Sequence, residues 1–341
     1  MATRRPTSDD IRRLFVGSPP RYTRGEVAAA AGLPQEFTGR IWRALGFATL
    51  ADDAVAFNDG DLDALRRIRA MLETGLLDER AIVRMARALG RTTSRLAEWQ
   101  AEIMMGAILE PGTHPSDEDL ARSMEIAARF LPDFEQTLVH VWRAQLAATA
   151  SRLLAIAVMA EEVPAMSRLS LAVGFADLVS FTAFSRRLDE FELADLVEGF
   201  ESRTSDVIAS HGGRLVKTLG DEVLFTATDP VTAGRIALDL VDELKRSIGR
   251  GEEGPDVRIG LSYGPVLPVM GDVFGTTVNL AARLTAIARP GAILADAEMA
   301  RRLEGAEGVD VMRIRRRPAR GLGLVQPYVV RRTSPSAGRK A

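Results

Sequence analysis

The stretch Lys217 to Phe225, KTLGDEVLF, sets two adjacent acids, Asp221 and Glu222, after a glycine and inside an otherwise apolar run. A carboxylate in that setting needs a partner, because desolvating an unpaired charge is unfavourable. Gly220 reads as the turn of a hairpin covering GRLVKTLGDEVLFTAT. An Asp in a hairpin turn is often only a turn former, so Asp221 signals chemistry only if a second group joins it. Glu222, the next residue, should point to the opposite face of its strand and reads as solvent-facing or structural.

Working outward, the elements around the hairpin alternate. LSLAVGFADLV is an apolar strand, and LDEFELADLVEGFESRTSDVIASHGG an amphipathic helix ending in glycines. DPVTAGRIALDLVDELKRSI is a helix opened by an Asp cap and a proline. VRIGLSYGPVLPV is a strand, and TTVNLAARLTAIA a helix stopped by Pro290 and Gly291. AILAD is a short strand, followed by a short helix and a hairpin from about Val309 to Arg332. The order β-α-β-β-α-β, with additions, is the split βαβ or ferredoxin-like pattern of an α+β fold.

In GFADLVSFT, Asp177 falls at a strand end just before a helix. A strand-end acid beside a hairpin-turn acid offers two hard oxygen ligands, which suits magnesium or manganese. The amides of Val179, Ser180, Phe181 and Thr182 would point from the helix N-terminus towards the same place, as an anion site for a polyphosphate. The plainer reading of Asp177 is a helix cap. In GDVFGTTVNLAARLTAIA, Asn279 and Arg283 share one helix face. An amide and a guanidinium there look like substrate contacts, though exposed residues of these types also occur by chance. Asp272 sits upstream in a Gly-flanked loop, and Lys217 precedes Asp221 on the hairpin.

Together GFADLVSFTAFS, GGRLVKTLGDEVLF, GDVFGTTVNLAARL and, more weakly, RGLGLVQPYVV resemble the class III nucleotidyl cyclase catalytic domain, over roughly Arg168 to Arg332. The resemblance implies that Asp177 and Asp221 hold two divalent ions, Mg2+ or Mn2+. Lys217 and Asp272 would read adenine, where guanylate cyclases of the family carry Glu and Cys. Asn279 would orient the ribose and Arg283 meet the charge developing on the α-phosphate. A lysine of the final hairpin normally meets the β/γ-phosphates; here Arg320 in PARGLG is the nearest equivalent. The implied reaction is two-metal-assisted attack of the ribose 3′-hydroxyl of ATP on the α-phosphorus, giving cyclic AMP and pyrophosphate. In this family the metal acids of one domain face the purine readers and Asn/Arg pair of another. One catalytic domain per chain then implies a head-to-tail homodimer with two composite sites.

The chain has 341 residues, enough for two domains at about 150 each. Before Glu161 it reads helical throughout. We expect a helical regulatory and dimerising domain over 1–160, a linker over 161–170 (EEVPAMSR at its centre), a catalytic domain over 171–333 and a disordered tail over 334–341. YTRGEVAAAAGLPQEFTGRIWRALGF reads as a helix-turn-helix with a Thr23/Glu26 capping box, a turn at Gly32 and a second helix from Gln35 to Leu45. With the helix that follows, it resembles a MerR-like winged-helix start. Only Arg40 and Arg43 stand on the reading helix, and Glu36 opposes them. Self-packing is therefore expected over DNA binding. Soluble actinobacterial cyclases with such a helical half use it for regulation, and the looser resemblance here implies a regulatory, helical, dimerising role.

The net charge of −2 gives no electrostatic case for nucleic acid or membrane. The longest apolar run, LLAIAVMA, is short of the roughly 20 residues of a membrane span, and no signal peptide follows the basic N-terminus. A cytoplasmic location fits. The absence of cysteine removes disulfides, thiol catalysis and Cys-ligated metal. Of His114, His140 and His211, any could sense pH, but plain surface histidines are commoner. FLPDFEQTLVHVWRAQL could line a lipid pocket, with helix-helix core the better reading. Two rivals remain. LGDEVLF also resembles the GGDEF turn of diguanylate cyclases, but lacks its second glycine and leaves NLAAR and Lys217/Asp272 without a role. A catalytically silent nucleotide-sensing or DNA-binding regulator is the non-enzymatic alternative.

Overall fold

The computed structural model of the chain describes residues 5–48, 50–107, 114–159, 169–249, 256–319, 321 and 323–333. They divide into two compact units, Met1–Glu161 and Glu162–Ala341. Arg320, most of the expected linker and the expected tail lie outside the described residues.

The first unit is helical: α1 (Ser8–Val16), α2 (Arg24–Ala31), α3 (Gln35–Ala44), α4 (Asp59–Glu73), α5 (Glu79–Gly106) and α6 (Asp117–Met159). The start of α2 is held as its sequence requires. The Thr23 amide donates to Glu26 Oε2 at 2.8 Å, and the Glu26 amide donates to Thr23 Oγ1 at 3.3 Å. Gly32 ends the helix in the left-handed conformation, at φ 68°. Val27, Phe37, Ile41, Phe57, Leu65 and Ile82 close a core over this region. Arg40, one of the two basic residues of the expected reading helix, is bound to Glu79 of α5 and lies over the Phe37 ring. The stripe around FLPDFEQ does not form a closed core. Phe130, Leu131 and Phe134 line an apolar cleft of about 670 Å³ with Phe15, Ile103 and Met104. No described helix is long and apolar enough to cross a membrane.

The second unit begins with β1 (Leu169–Leu178), α7 (Phe181–Ser185), α8 (Glu190–Ser210), β2 (Arg214–Leu219), β3 (Glu222–Ala227), α9 (Pro230–Gly249) and β4 (Val257–Val269). It continues with β5 (Asp272–Phe274), α10 (Thr276–Ile287), β6 (Ile293–Ala295), α11 (Ala297–Leu303), β7 (Val309–Arg313), β8 (Arg317–Ala319), β9 (Gly323–Val325) and β10 (Tyr328–Arg332). The main sheet runs β2-β3-β1-β4-β6-β10-β7, with β5 hung on β4. This is the split βαβ arrangement with additions that the order of elements predicts, in an α+β unit. The strand β1 starts two residues inside the segment expected as linker, because Leu169 and Ser170 find ladder partners in Val266 and Pro265 of β4.

Both sheet faces are covered, so the central strands are apolar without alternation. Ala172, Ala176, Phe225, Val257 and Ile259 face a core with residues of α8, α9 and α11. Leu171, Val173, Phe175 and Leu224 face the other core, with Val278 and Ala281 of α10. At Gly260 of β4 the two layers touch backbone to backbone: a Cβ there would overlap the Ala281 carbonyl oxygen and the Thr285 amide nitrogen.

Candidate active site

Gly220 and Asp221 form the two-residue turn between β2 and β3, with Leu219 paired to Glu222 and Gly220 at φ 69°. Strand alternation therefore starts at Glu222, after the turn. Glu222 is directly opposite Asp177 of β1, and Asp177 is directly opposite Arg258 of β4. Opposed residues share a face, so the three side chains line up on the α10 side. Of the two readings of Glu222, solvent-facing or structural, the first is corrected: the residue is half-buried beside Asp177. Burial, followed by repulsion from Asp177 and Asp221, pushes its carboxyl up to about 7.

Asp177 is the second-last residue of β1. Arg258 Nε donates to its Oδ2 at 2.6 Å. Burial raises the Asp177 carboxyl above the ordinary range; the arginine opposes this and the Asp221 charge adds to it. Arg258 is a residue that sequence reading missed, although a lone charge in VRIGLSYG was its signal.

The expected anion site at Val179 to Thr182 is only partly available. The Val179 amide donates to the Asp256 carbonyl at 2.6 Å, and the helix that Phe181 and Thr182 open has five residues. Ser180 turns the corner with a left-handed backbone, φ 62°. The chain must bend this sharply because β1 runs on to Leu178, where its ladder with β4 ends.

Lys217 owes its direction to a β-bulge. Leu215 pairs with Phe225 but Lys217 with Leu224, so Val216 is an extra residue. Without it Lys217 would face the same side as Leu215; the bulge turns it to the α10 side. Asp272 is not in a loop. It opens β5 after a tight turn at Met270 and Gly271, both at positive φ, and pairs with Val269. The β4–β5 arm reaches back to β2. Lys217 Nζ donates to Asp272 Oδ2 at 2.6 Å, and Arg214 donates to the Gly271 carbonyl at 2.7 Å.

Asn279 and Arg283 are exposed on the outer side of α10, whose Val278, Ala281 and Leu284 are buried. Neither side chain makes a hydrogen bond or ion pair with any described residue, which leaves both available to a ligand. Arg320, the expected triphosphate contact, lies outside the described residues.

Asp177, Glu222 and Arg258 thus line up on one face, with Asp221 in the adjoining turn, its carbonyl accepting from the Leu178 amide at 2.9 Å, and a Lys–Asp pair on the same side of the sheet. Among the described residues no three acidic or histidine side chains converge as a ready cage for a metal. Two hard oxygen donors, on Asp177 at the end of β1 and on Asp221 in the turn joined to that end through the Leu178 amide, still fit a magnesium or manganese ion, which keeps waters and shares phosphate oxygens. Of the histidines, His114 and His140 are exposed, while His211 is bonded to Asp239 at 2.6 Å. Burial raises the Asp239 carboxyl, but hydrogen bonds from His211 and Arg332 outweigh it and hold the group below its usual range.

Two family models match the chain: the adenylate and guanylate cyclase catalytic domain over residues 163–331, and the adenylate cyclase regulatory domain over residues 10–164. An adenylate cyclase of Streptomyces coelicolor is 41% identical over 98% of this chain and 92% of its own length. One of Streptomyces griseus is 38% identical over 96% of this chain and 90% of its own. Among solved structures, the adenylyl cyclase CyaB from P. aeruginosa is similar over 50% of this chain and 98% of its own, at 23% identity and a TM-score of 0.45. With two family models that between them cover residues 10–331 and relatives that align along nearly the whole chain, the protein belongs to the class III adenylate cyclase family.

Proposed function

We propose that this protein converts ATP to 3′,5′-cyclic AMP and pyrophosphate at composite sites of a head-to-tail homodimer, under control of its helical first unit. The observation that carries the substrate assignment is the Lys217–Asp272 pair, a cationic donor beside an anionic acceptor at 2.6 Å. In this family a lysine donor meets adenine N1 and an aspartate accepts from the adenine amino group. The relatives that align along the whole chain are adenylate cyclases by name.

Asp177 and Asp221 would hold two Mg2+ or Mn2+ ions. When bound, such ions supply Lewis acidity towards the ribose 3′-hydroxyl and neutralise charge on the departing pyrophosphate. The 3′-oxygen forms a bond to the α-phosphorus as the bond from that phosphorus to the α,β-bridging oxygen breaks; the bridging oxygen leaves with the electron pair as pyrophosphate, and the hydroxyl proton passes to solvent water. Asn279 holds the ribose in line for attack. The Arg283 guanidinium binds the α-phosphate oxygens as their charge grows, a preorganised electrostatic contribution. Both sit on the outer side of α10, whereas the acids sit at the β1–β3 end, so the dimer reading has each chain give one half of each site. Of the regulatory role, the support is the match of residues 10–164 to a regulatory domain.

The test is purine preference. Lys217→Glu combined with Asp272→Cys should lower kcat/KM for ATP about a hundredfold, since each good base contact is worth roughly 1–3 kcal/mol. Cyclic AMP and cyclic GMP formation from ATP and GTP would be measured with manganese. An unchanged preference for ATP refutes the purine assignment.

A further inference from the structure

Asp177 Oδ2 already accepts a charge-assisted hydrogen bond within the chain. Arg258 Nε lies 2.6 Å from it, and Nη1 also reaches the Ala286 carbonyl of α10 at 3.4 Å. The Asp177 side chain is 14% exposed and that of Arg258 32%, so water screens this pair weakly. Glu222 lies directly opposite Asp177, and Asp221 forms the adjoining turn, its carbonyl accepting from the Leu178 amide at 2.9 Å. Asp177 and Asp221 both act repulsively on Glu222, while Arg258 and Lys217 act attractively. Lys217 is bonded to Asp272. Arg258 is thus the counter-cation bonded within the acidic cluster itself.

Resting on the reading of Asp177 and Asp221 as metal ligands, we propose that Arg258 is a built-in competitor of the divalent ion. It is a positioning residue that occupies a metal-binding oxygen and weakens the uptake of free metal by the nucleotide-free site. A cation taking Asp177 Oδ2 must displace a guanidinium hydrogen bond, and one taking Oδ1 meets a carboxylate whose charge is already partly neutralised. Replacing Arg258 by a neutral side chain removes both obstacles. Its effect on metal affinity is therefore opposite to that of a residue that merely supports Asp177.

The experiment is titration of the full-length protein with Mn2+, without nucleotide, at about pH 8. Free Mn2+ is read by electron paramagnetic resonance. Arg258→Gln should bind Mn2+ about tenfold more tightly than wild type, the size of one charge-assisted hydrogen bond removed. Arg258→Lys keeps the charge and should stay within about threefold of wild type. Arg235→Gln, on α9 across the sheet, removes one charge elsewhere and should also stay near wild type. Near-UV circular dichroism checks folding, and Arg258→Met replaces Arg258→Gln if that variant does not fold. Equal or weaker Mn2+ binding by the neutral variant overturns the proposal. Asp177→Asn separates the two layers: if it binds Mn2+ like wild type, the metal-ligand reading fails before the arginine is in question.

Discussion

A one-to-one mixture of Asp177→Ala and Asn279→Ala chains should make cyclic AMP at about a quarter of the wild-type rate, although either variant alone is inert. In a twofold-symmetric head-to-tail dimer each site takes its acids from one chain and its Asn/Arg pair from the other. A heterodimer then gathers both lesions into one site and leaves the second intact. Random exchange makes about half of the dimers mixed, each with one working site of two. Each single variant should fall by at least about a hundredfold, the usual scale for losing a charge-stabilising group. The assay needs proof of subunit exchange, for example by mixing chains with two different affinity tags. Exchange without recovery of activity counts against the composite site and in favour of a site complete within one chain.

Gly260→Ala should be the most damaging single methyl group in the second unit. Its Cβ would run into the backbone of α10 at Ala281 and Thr285, and backbone cannot step aside as a side-chain tip can. Overpacking of this kind typically destabilises by about 1–3 kcal/mol, and a double backbone overlap belongs at or above the top of that range. For a unit of this size, about 3 kcal/mol lowers the melting temperature by roughly 6–12 °C. Activity should fall further than stability, because the helix that must shift carries Asn279 and Arg283. Thermal unfolding and cyclic AMP formation would be measured on the same preparation. An unchanged melting temperature would mean that α10 does not rest on β4 as described.

Much of the site is legible in the residues alone. Gly220 and Asp221 read as a turn because a glycine between two apolar strand segments offers the positive φ. Asn279 and Arg283 share a helix side because they are one turn apart. The departures have local causes of a different kind. Glu222 comes to face Asp177 because alternation starts after Asp221, which lies in the turn and not in the strand. The Val179 amide is occupied because its acceptor, the Asp256 carbonyl, comes from a segment distant along the chain. Asp272 reads as a loop residue because a positive φ at Met270, a non-glycine, is not announced by residue type.

Sequence by itself determined the order of elements, the turns, the caps and the residue types available for chemistry. All of these depend on interactions that reach no further than about four residues. Only the tertiary structure decided which charges meet. Asp177 and Arg258 are 81 residues apart, and Lys217 and Asp272 are 55 apart. Their contacts follow from the register of β1 on β4, the extra residue at Val216 and the reach of the β4–β5 arm. Register is set by how whole strands bury their side chains against two helical layers, and a shift of one residue would turn every one of these groups to the opposite face.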